Sequence, residues 1–271
     1  YSTSARSDRE IVADMKVAFS LGTTSGIGGR AAEVVVRTRG DMLADGENAF
    51  GIVAQSIGGG GGFAGAISAS TILSVQSGTL SLGGAGLAGG LGDKVTVANE
   101  GRIVSTGQNG VGIDTFGGSA IGVIAQSIGG GGGFAGTSAS QMTLGATGGL
   151  GGQSDKITVT NSGRITSRGD LSEGVFAQSI GGGGGVGGHV SGNVVMGGAS
   201  AAGGDAASVK IVNSGVIETN GTGSVAIFAQ SIGGGGGRAG MVSGTGLLGT
   251  VSGKGGSASD VVIFNSGDII T

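Results

Sequence analysis

Apolar residues recur along this chain in short alternating runs. Lys156-Ile157-Thr158-Val159-Thr160 alternates strictly, while Lys210-Ile211-Val212 and Val261-Val262-Ile263-Phe264 do so more loosely, and all are rich in β-branched residues. Period-two alternation over runs of this length predicts half-buried strands. Each run ends in an Asn-x-Gly element, and because Asn and Gly both tolerate positive φ, the element predicts a tight turn into a second strand, Arg164-Ile165-Thr166 or Val216-Ile217-Glu218. A further turn, such as Arg168-Gly169-Asp170-Leu171, leads into a third strand, Gly174 to Ile180. A fourth apolar piece, for example His189 to Met196, follows a run of glycines. No stretch of helical length carries an i, i+3, i+4 pattern with caps. The pattern predicts an all-β chain of short strands and sharp turns.

These pieces form a repeat. Ala-Gln-Ser-Ile followed by five Gly begins at Ala54, Ala125, Ala177 and Ala229. Asn-Glu-Gly at Asn99 and Asn-Ser-Gly at Asn161, Asn213 and Asn265 interleave with it in fixed order, 16 positions before the Ala and 36 after it in the later units. The unit is therefore 52 residues, and the fold class expected is a parallel β-helix or β-solenoid, a translational stack of such units. The array divides into an atypical amino-terminal repeat (1–37), unit 1 (38–98), unit 2 (99–160), unit 3 (161–212), unit 4 (213–264) and a truncated unit (265–271). Units 1 and 2 carry excesses of 9 and 10 residues, placed in the Leu73 to Gly92 region and near 107–119, where Gly112-Ile113-Asp114-Thr115-Phe116 is read as having no counterpart in the other units. Insertions in such arrays map to surface loops, which makes Asp114 and Phe116 candidates for specific interaction. Counting back one unit, Arg37-Thr38-Arg39-Gly40 is a degenerate Asn-x-Gly turn, and charged Arg6 to Glu10 replaces the glycine run, as an end cap would. The spacing fits one wide coil per 52 residues or two of about 26, which makes a rod of about 25 or about 50 Å at roughly 4.8 Å per coil.

Each glycine held in extended structure costs about 0.5–1 kcal/mol relative to Ala. Four runs of five need a structural return, and the return expected is close backbone approach, a flat or polyglycine-II-like segment against a neighbouring layer. The runs beginning at Gly58, Gly129, Gly181 and Gly233 are the structural candidates. In the strand before them Val53 and Ile57 point one way and Ile52 and Ala54 the other, so burial of both faces is expected. Gln55, Gln126, Gln178 and Gln230 then need partners, either one another or the glycine backbone, and Asn99, Asn161, Asn213 and Asn265 could form a second side-chain ladder.

Composition narrows the function. Of 271 residues 69 are Gly, with no Pro, Cys or Trp, which excludes collagen, disulfide scaffolds and cysteine-based zinc sites. Apolar residues make up 38% and aromatics only 3%, so the interior is expected to be thin and layered, built from Val, Ile, Leu and Ala. A net charge of −3 with no basic stripe argues against nucleic acid. No apolar run reaches the roughly 18 residues of a membrane-spanning helix, and no leader precedes the array, so a soluble, processed piece is expected. Absent Cys suits either a cytosolic protein or one exported unfolded.

The strings Val159-Thr160-Asn161-Ser162-Gly163-Arg164-Ile165-Thr166 and Gly174 to Ile180 plus five glycines resemble the passenger repeats of large Gram-negative autotransporter proteins, over nearly the whole chain from Val34 onward. The resemblance implies a parallel β-helix exported to the bacterial cell surface, ordinarily followed by an outer-membrane β-barrel that is not among these residues. It implies no ligand.

Enzyme and cofactor chemistry find little to work with. A P-loop needs Gly-Lys-Ser/Thr after its glycines, and Gly253-Lys254-Gly255 fails at the last place. Gly89-Gly90-Leu91-Gly92-Asp93 falls one residue short of a calcium nonapeptide and stands alone. His189 is the single His, so no His metal cluster or triad is expected. Asp93 and Asp155 read as turn residues before Lys94 and Lys156. Thr158 and Thr160 are not followed by the regular Thr grid of an ice-binding face. No catalytic, cofactor or metal residue is assigned. The leading expectation is an extracellular structural or adhesive β-solenoid, a surface stalk whose partners are itself and a host surface, abiotic surface or glycan. The runner-up is a filament subunit stacking head to tail or through its glycine faces, and a polysaccharide-acting β-helix enzyme is a minor third.

Overall fold

The computed structural model describes residues 18–21, 24–39, 42–45, 50–65, 67–68, 79–82, 85–100, 112–116, 119–139, 142–249 and 251–271. Among them the chain is all-β, without a helix, and every strand pairing is parallel. Strands from successive units line up in four sheets. The first takes Val34–Thr38, Val95–Asn99, Ile157–Asn161, Val209–Asn213 and Val261–Asn265; the second Met42–Asp45, Gly112–Phe116, Arg164–Arg168, Val216–Asn220 and Asp268–Ile270. The third holds the glutamine strands, Phe50–Ile57, Ile121–Ile128, Glu173–Ile180 and Val225–Ile232, and the fourth follows the glycine runs, ending with Val190–Met196 and Val242–Leu248. In the later units each residue pairs with the one 52 positions on, as Asn161 does with Asn213 and Gln178 with Gln230, so one repeat supplies one rung to each sheet.

A shared core explains why the first three sheets hold together. Inward residues at alternate positions, Val95 and Val97, Ile157 and Val159, Val209 and Ile211, meet Ile165 and Ile217 of the second sheet and Ala125, Val175 and Ala177 of the third, all fully buried. Among the described residues the core is aliphatic, in keeping with the 3% aromatic content. Between the third and fourth sheets the chain runs out through the five glycines, and between the fourth and first it runs back through a second glycine-rich stretch. These outgoing and returning segments form two layers bonded to each other.

The register corrects three readings of the sequence. Gly112–Phe116 does have counterparts: it pairs with Arg164–Arg168, so Asp114 sits opposite Thr166 and Phe116 opposite Arg168. The extra residues of unit 2 therefore fall between Asn99 and Gly112. The excess of unit 1 lies between Ser68, which pairs with Ala139, and Thr79, the neighbour of Leu80, which pairs with Met142; Gly89 to Gly92 are regular members of the returning layer. Backbone ladders are indifferent to side-chain type, and Gly-Ile-Asp-Thr-Phe shares only Ile with Arg-Ile-Thr-Ser-Arg, which hides the equivalence from a sequence match. Third, the two faces of the glutamine strands are not equally buried: the inward rows are buried, whereas the outward residues are half-buried in the two inner strands and exposed at Val53 and Ile57 of the first. Arg6 to Glu10 and most of 107–119 lie outside the described residues.

Candidate functional site

Two amide ladders run along the stack. Thr38 Oγ1 donates to Asn99 Oδ1 at 2.9 Å, and Asn99, Asn161 and Asn213 each donate Nδ2 to the Oδ1 of the next Asn at 2.8, 2.7 and 2.7 Å, ending on Asn265. Asn161 and Asn213 are fully buried, and their Nδ2 groups also face Gly163 O and Gly215 O, so the ladder ties each turn to itself as well as to its neighbours. The glutamines do the same on the outer face of the third sheet, Gln55 to Gln126 to Gln178 to Gln230, at 2.5, 3.0 and 2.9 Å. Of the two partners open to them, the glutamines take one another.

The glycine runs repeat every three residues. Gly58, Gly61 and Ala64 donate along the stack to Ile128 O, Gly131 O and Phe134 O, whereas Gly59 and Gly62 donate across to Gly29 O and Gly26 O of the returning layer. Three residues per turn is the period of a polyproline II helix. The crossing bonds join into one zigzag: Gly256 donates to Gly234, which donates to Gly204, and so on through Gly182, Gly152, Gly130, Gly90 and Gly59 to Gly29, every N···O distance between 2.7 and 2.9 Å. Chains of aligned peptide dipoles polarise one another.

This packing explains the glycines position by position. A Cβ on Gly58, Gly129, Gly181 or Gly233 would fall on the carbonyl of Gly90, Gly152, Gly204 or Gly256 across the layer. On Gly60, Gly131, Gly183 and Gly235, the third of each run, it would meet nothing closer than 3.9 Å. Four positions of each run are closed by backbone and one is open to solvent.

Sequence reading missed the serine of Ala-Gln-Ser-Ile. Ser56, Ser127 and Ser179 are buried, and Ser179 Oγ accepts from Ala207 N at 3.0 Å and lies 2.8 Å from Ser154 Oγ; Ser56, Ser127 and Ser231 accept from Asp93, Asp155 and Ser259 N. This seam fastens the third sheet to the end of the returning layer. Its invariance in all four copies was the available signal.

Charged chemistry is sparse. Glu218 accepts from Asn220 Nδ2 at 2.9 Å and pairs with Arg164; the Asn220 bond first and the Arg164 bond second hold its carboxyl below the usual range, against partial burial. Glu173 is pushed up by burial. His189 Nδ1 accepts from Met241 N at 2.8 Å, a structural contact between rungs. Asp114 and Phe116 lie on a strand of the second sheet rather than in a loop. Among the described residues no three His, Cys, Asp or Glu cluster to hold a metal, and no helix is long and apolar enough to cross a membrane.

No protein-family model matches the chain, and no curated protein does. Among solved structures, the nine polyproline type II helical bundle antifreeze protein of the springtail Granisotoma rainieri aligns at 16% identity over 87% of this chain and 93% of that one, with a TM-score of 0.14, too low to argue from.

Proposed function

We propose that the chain is a segment of an extracellular structural or adhesive β-solenoid, a rigid bacterial cell-surface stalk or adhesin passenger with no catalytic role. The observation that carries the reading is the single register shared by sheets, amide ladders and glycine zigzag: in the later units residues 52 positions apart pair in parallel, so each unit adds one rung of about 4.8 Å to every sheet. Such an element supplies reach and stiffness. The autotransporter-like repeats support an exported location, and the residues inserted between Ser68 and Thr79 and between Asn99 and Gly112 are where contact with a host surface, abiotic surface or glycan would be built. Protease shaving of intact cells that carry the protein should release its repeats while cytoplasmic markers stay intact. Retention of the protein inside cells under that treatment would refute the surface assignment.

A second reading, the head-to-tail filament, draws on the last rung. Val261 and Ile263 are 42% and 45% exposed, whereas Val209 and Ile211, their in-register neighbours, are fully buried. An apolar rung with an unpaired strand edge is a surface on which a rung of a second copy would pair. Electron microscopy decides between them: separate rods match the stalk, and filaments with an axial repeat of one chain match the subunit.

A further inference from the structure

Asn-Gly occurs twice in the chain, at Asn109 and Asn220, and the first lies outside the described residues. Asn220 ends the second-sheet strand Val216–Asn220 and opens the corner that leads to the third sheet. Asn220, Gly221, Thr222 and Gly223 are all exposed, whereas the ladder residues Asn161 and Asn213 are fully buried. Gly221 has φ 147°, and a Cβ there would fall on Gly169 O, so the corner requires glycine. The same lack of a Cβ makes the Gly221 nitrogen the least hindered backbone nucleophile that could follow an Asn side chain. One unit earlier the corner reads Arg168-Gly169, and Gly169 N is engaged with Asn220 O at 2.8 Å. Among the described residues Gly221 N has no acceptor. Asn220 Nδ2 donates to Glu218 Oε1 at 2.9 Å, on the carboxylate that Arg164 pairs with.

We infer that Asn220 is a site of spontaneous covalent modification, losing its side-chain amide through ring closure by the Gly221 nitrogen. Hydroxide takes the Gly221 N–H proton, the nitrogen bonds to Asn220 Cγ, and the Cγ–Nδ2 bond breaks as ammonia leaves with a proton from water. Closing this five-membered imide requires the strand end to turn, and exposed corners open at the least cost in a fold. Water then adds to one of the two imide carbonyls. Breaking the bond from nitrogen to Cγ leaves aspartate, and breaking the bond to the main-chain carbonyl leaves isoaspartate; in either case one amide and one water become one carboxylate and one ammonium. The product carboxylate stands where Nδ2 donated to Glu218, so an acceptor replaces a donor and two like charges meet. In the isoaspartate form the carbonyl that Gly169 N bonds is also no longer part of the main chain. The corner between the second and third sheets therefore loosens with the age of the molecule.

The test is peptide mapping by mass spectrometry of the purified chain held at neutral pH and body temperature for weeks, with isoaspartate scored by enzymatic methylation. The same chain unfolded in guanidinium chloride supplies the reference rate for each Asn. In the folded chain Asn220 should gain one dalton at a rate within roughly tenfold of its unfolded rate, while Asn161 and Asn213 keep their amides. The aged chain should also melt at a lower temperature than the fresh one. Asn220→Gln, whose longer side chain would have to close a six-membered ring, should hold both its amide and its melting temperature over the same period. A folded-state rate for Asn220 more than roughly tenfold below the unfolded one overturns the assignment, and so does loss of amide at Asn161 and Asn213 at the rate of Asn220. An aged Asn220→Gln chain whose melting temperature falls as far as the parent's overturns the loosening of the corner.

Discussion

At the residue scale, neighbouring glycines of one run differ sharply in tolerance. A methyl on Gly182 would fall on Gly130 O, so Gly182→Ala should destabilise by about 3 kcal/mol or more in denaturant unfolding. Gly183→Ala, one position on, meets only Gly235 O at 3.9 Å and should be neutral or stabilising by roughly 0.5 kcal/mol, because it restricts the unfolded chain. Equal loss at both positions would refute the layered packing. Leu171 shows the reverse situation. It is exposed at φ 54°, and its equivalent one unit on is Gly223 at φ 72°. A left-handed non-glycine residue carries about 1–2 kcal/mol of strain, so Leu171→Gly should raise the melting temperature despite the added chain entropy. The two perturbed carboxyls act in opposite senses. Glu218 has a lowered folded pKa, so its contribution is present above the unfolded value and is lost as pH falls through the folded one. Glu173 has a raised folded pKa, so its charged form opposes folding at neutral pH and protonation relieves it. Glu173→Gln should accordingly raise stability at pH 7 and have little effect at pH 3, as read from melting temperatures at the two values.

At the element scale, the two ladders look alike in sequence and differ in environment. Asn161 is fully buried, where its loss removes the acceptor of Asn99 Nδ2, leaving it Arg164 O at 3.5 Å, and the donor to Asn213 Oδ1. Asn161→Ala should cost about 2–4 kcal/mol, and Asn161→Asp more, because a carboxylate would replace the donor that faces Asn213 Oδ1. Gln178 stands on the outer face, where water replaces lost partners, so Gln178→Ala should cost under about 1 kcal/mol in the same measurement. Both ladders were legible as recurring amides at fixed spacing. Their unequal burial was not, because apolar residues flank both, and the half-burial of Gln126 and Gln178 beside the full burial of Asn161 and Asn213 appears in the structure alone.

For the whole molecule, the register makes 52 residues the indivisible unit. Excising 161–212 joins two equivalent positions, and the product should fold with one rung fewer, about 4.8 Å shorter by X-ray scattering. Excising 26 residues would bring a strand of the first sheet against a glycine run and should abolish the cooperative melt. Folding of that shorter deletion would restore the two-coil alternative.

Period, strand order, turn positions and the identity of the stacking residues all followed from the sequence, because a translational stack places every residue beside its own copy and so writes its contacts as repetition. Contacts between different parts of one rung leave no such mark. That the outgoing glycines bond to the returning ones, that a buried serine seams them to the core, and that insertions fall between Ser68 and Thr79 and between Asn99 and Gly112 were decided by the tertiary structure alone. Glycine is silent about its partner, having no side chain to carry a pattern, and backbone hydrogen bonds form whatever residues supply them.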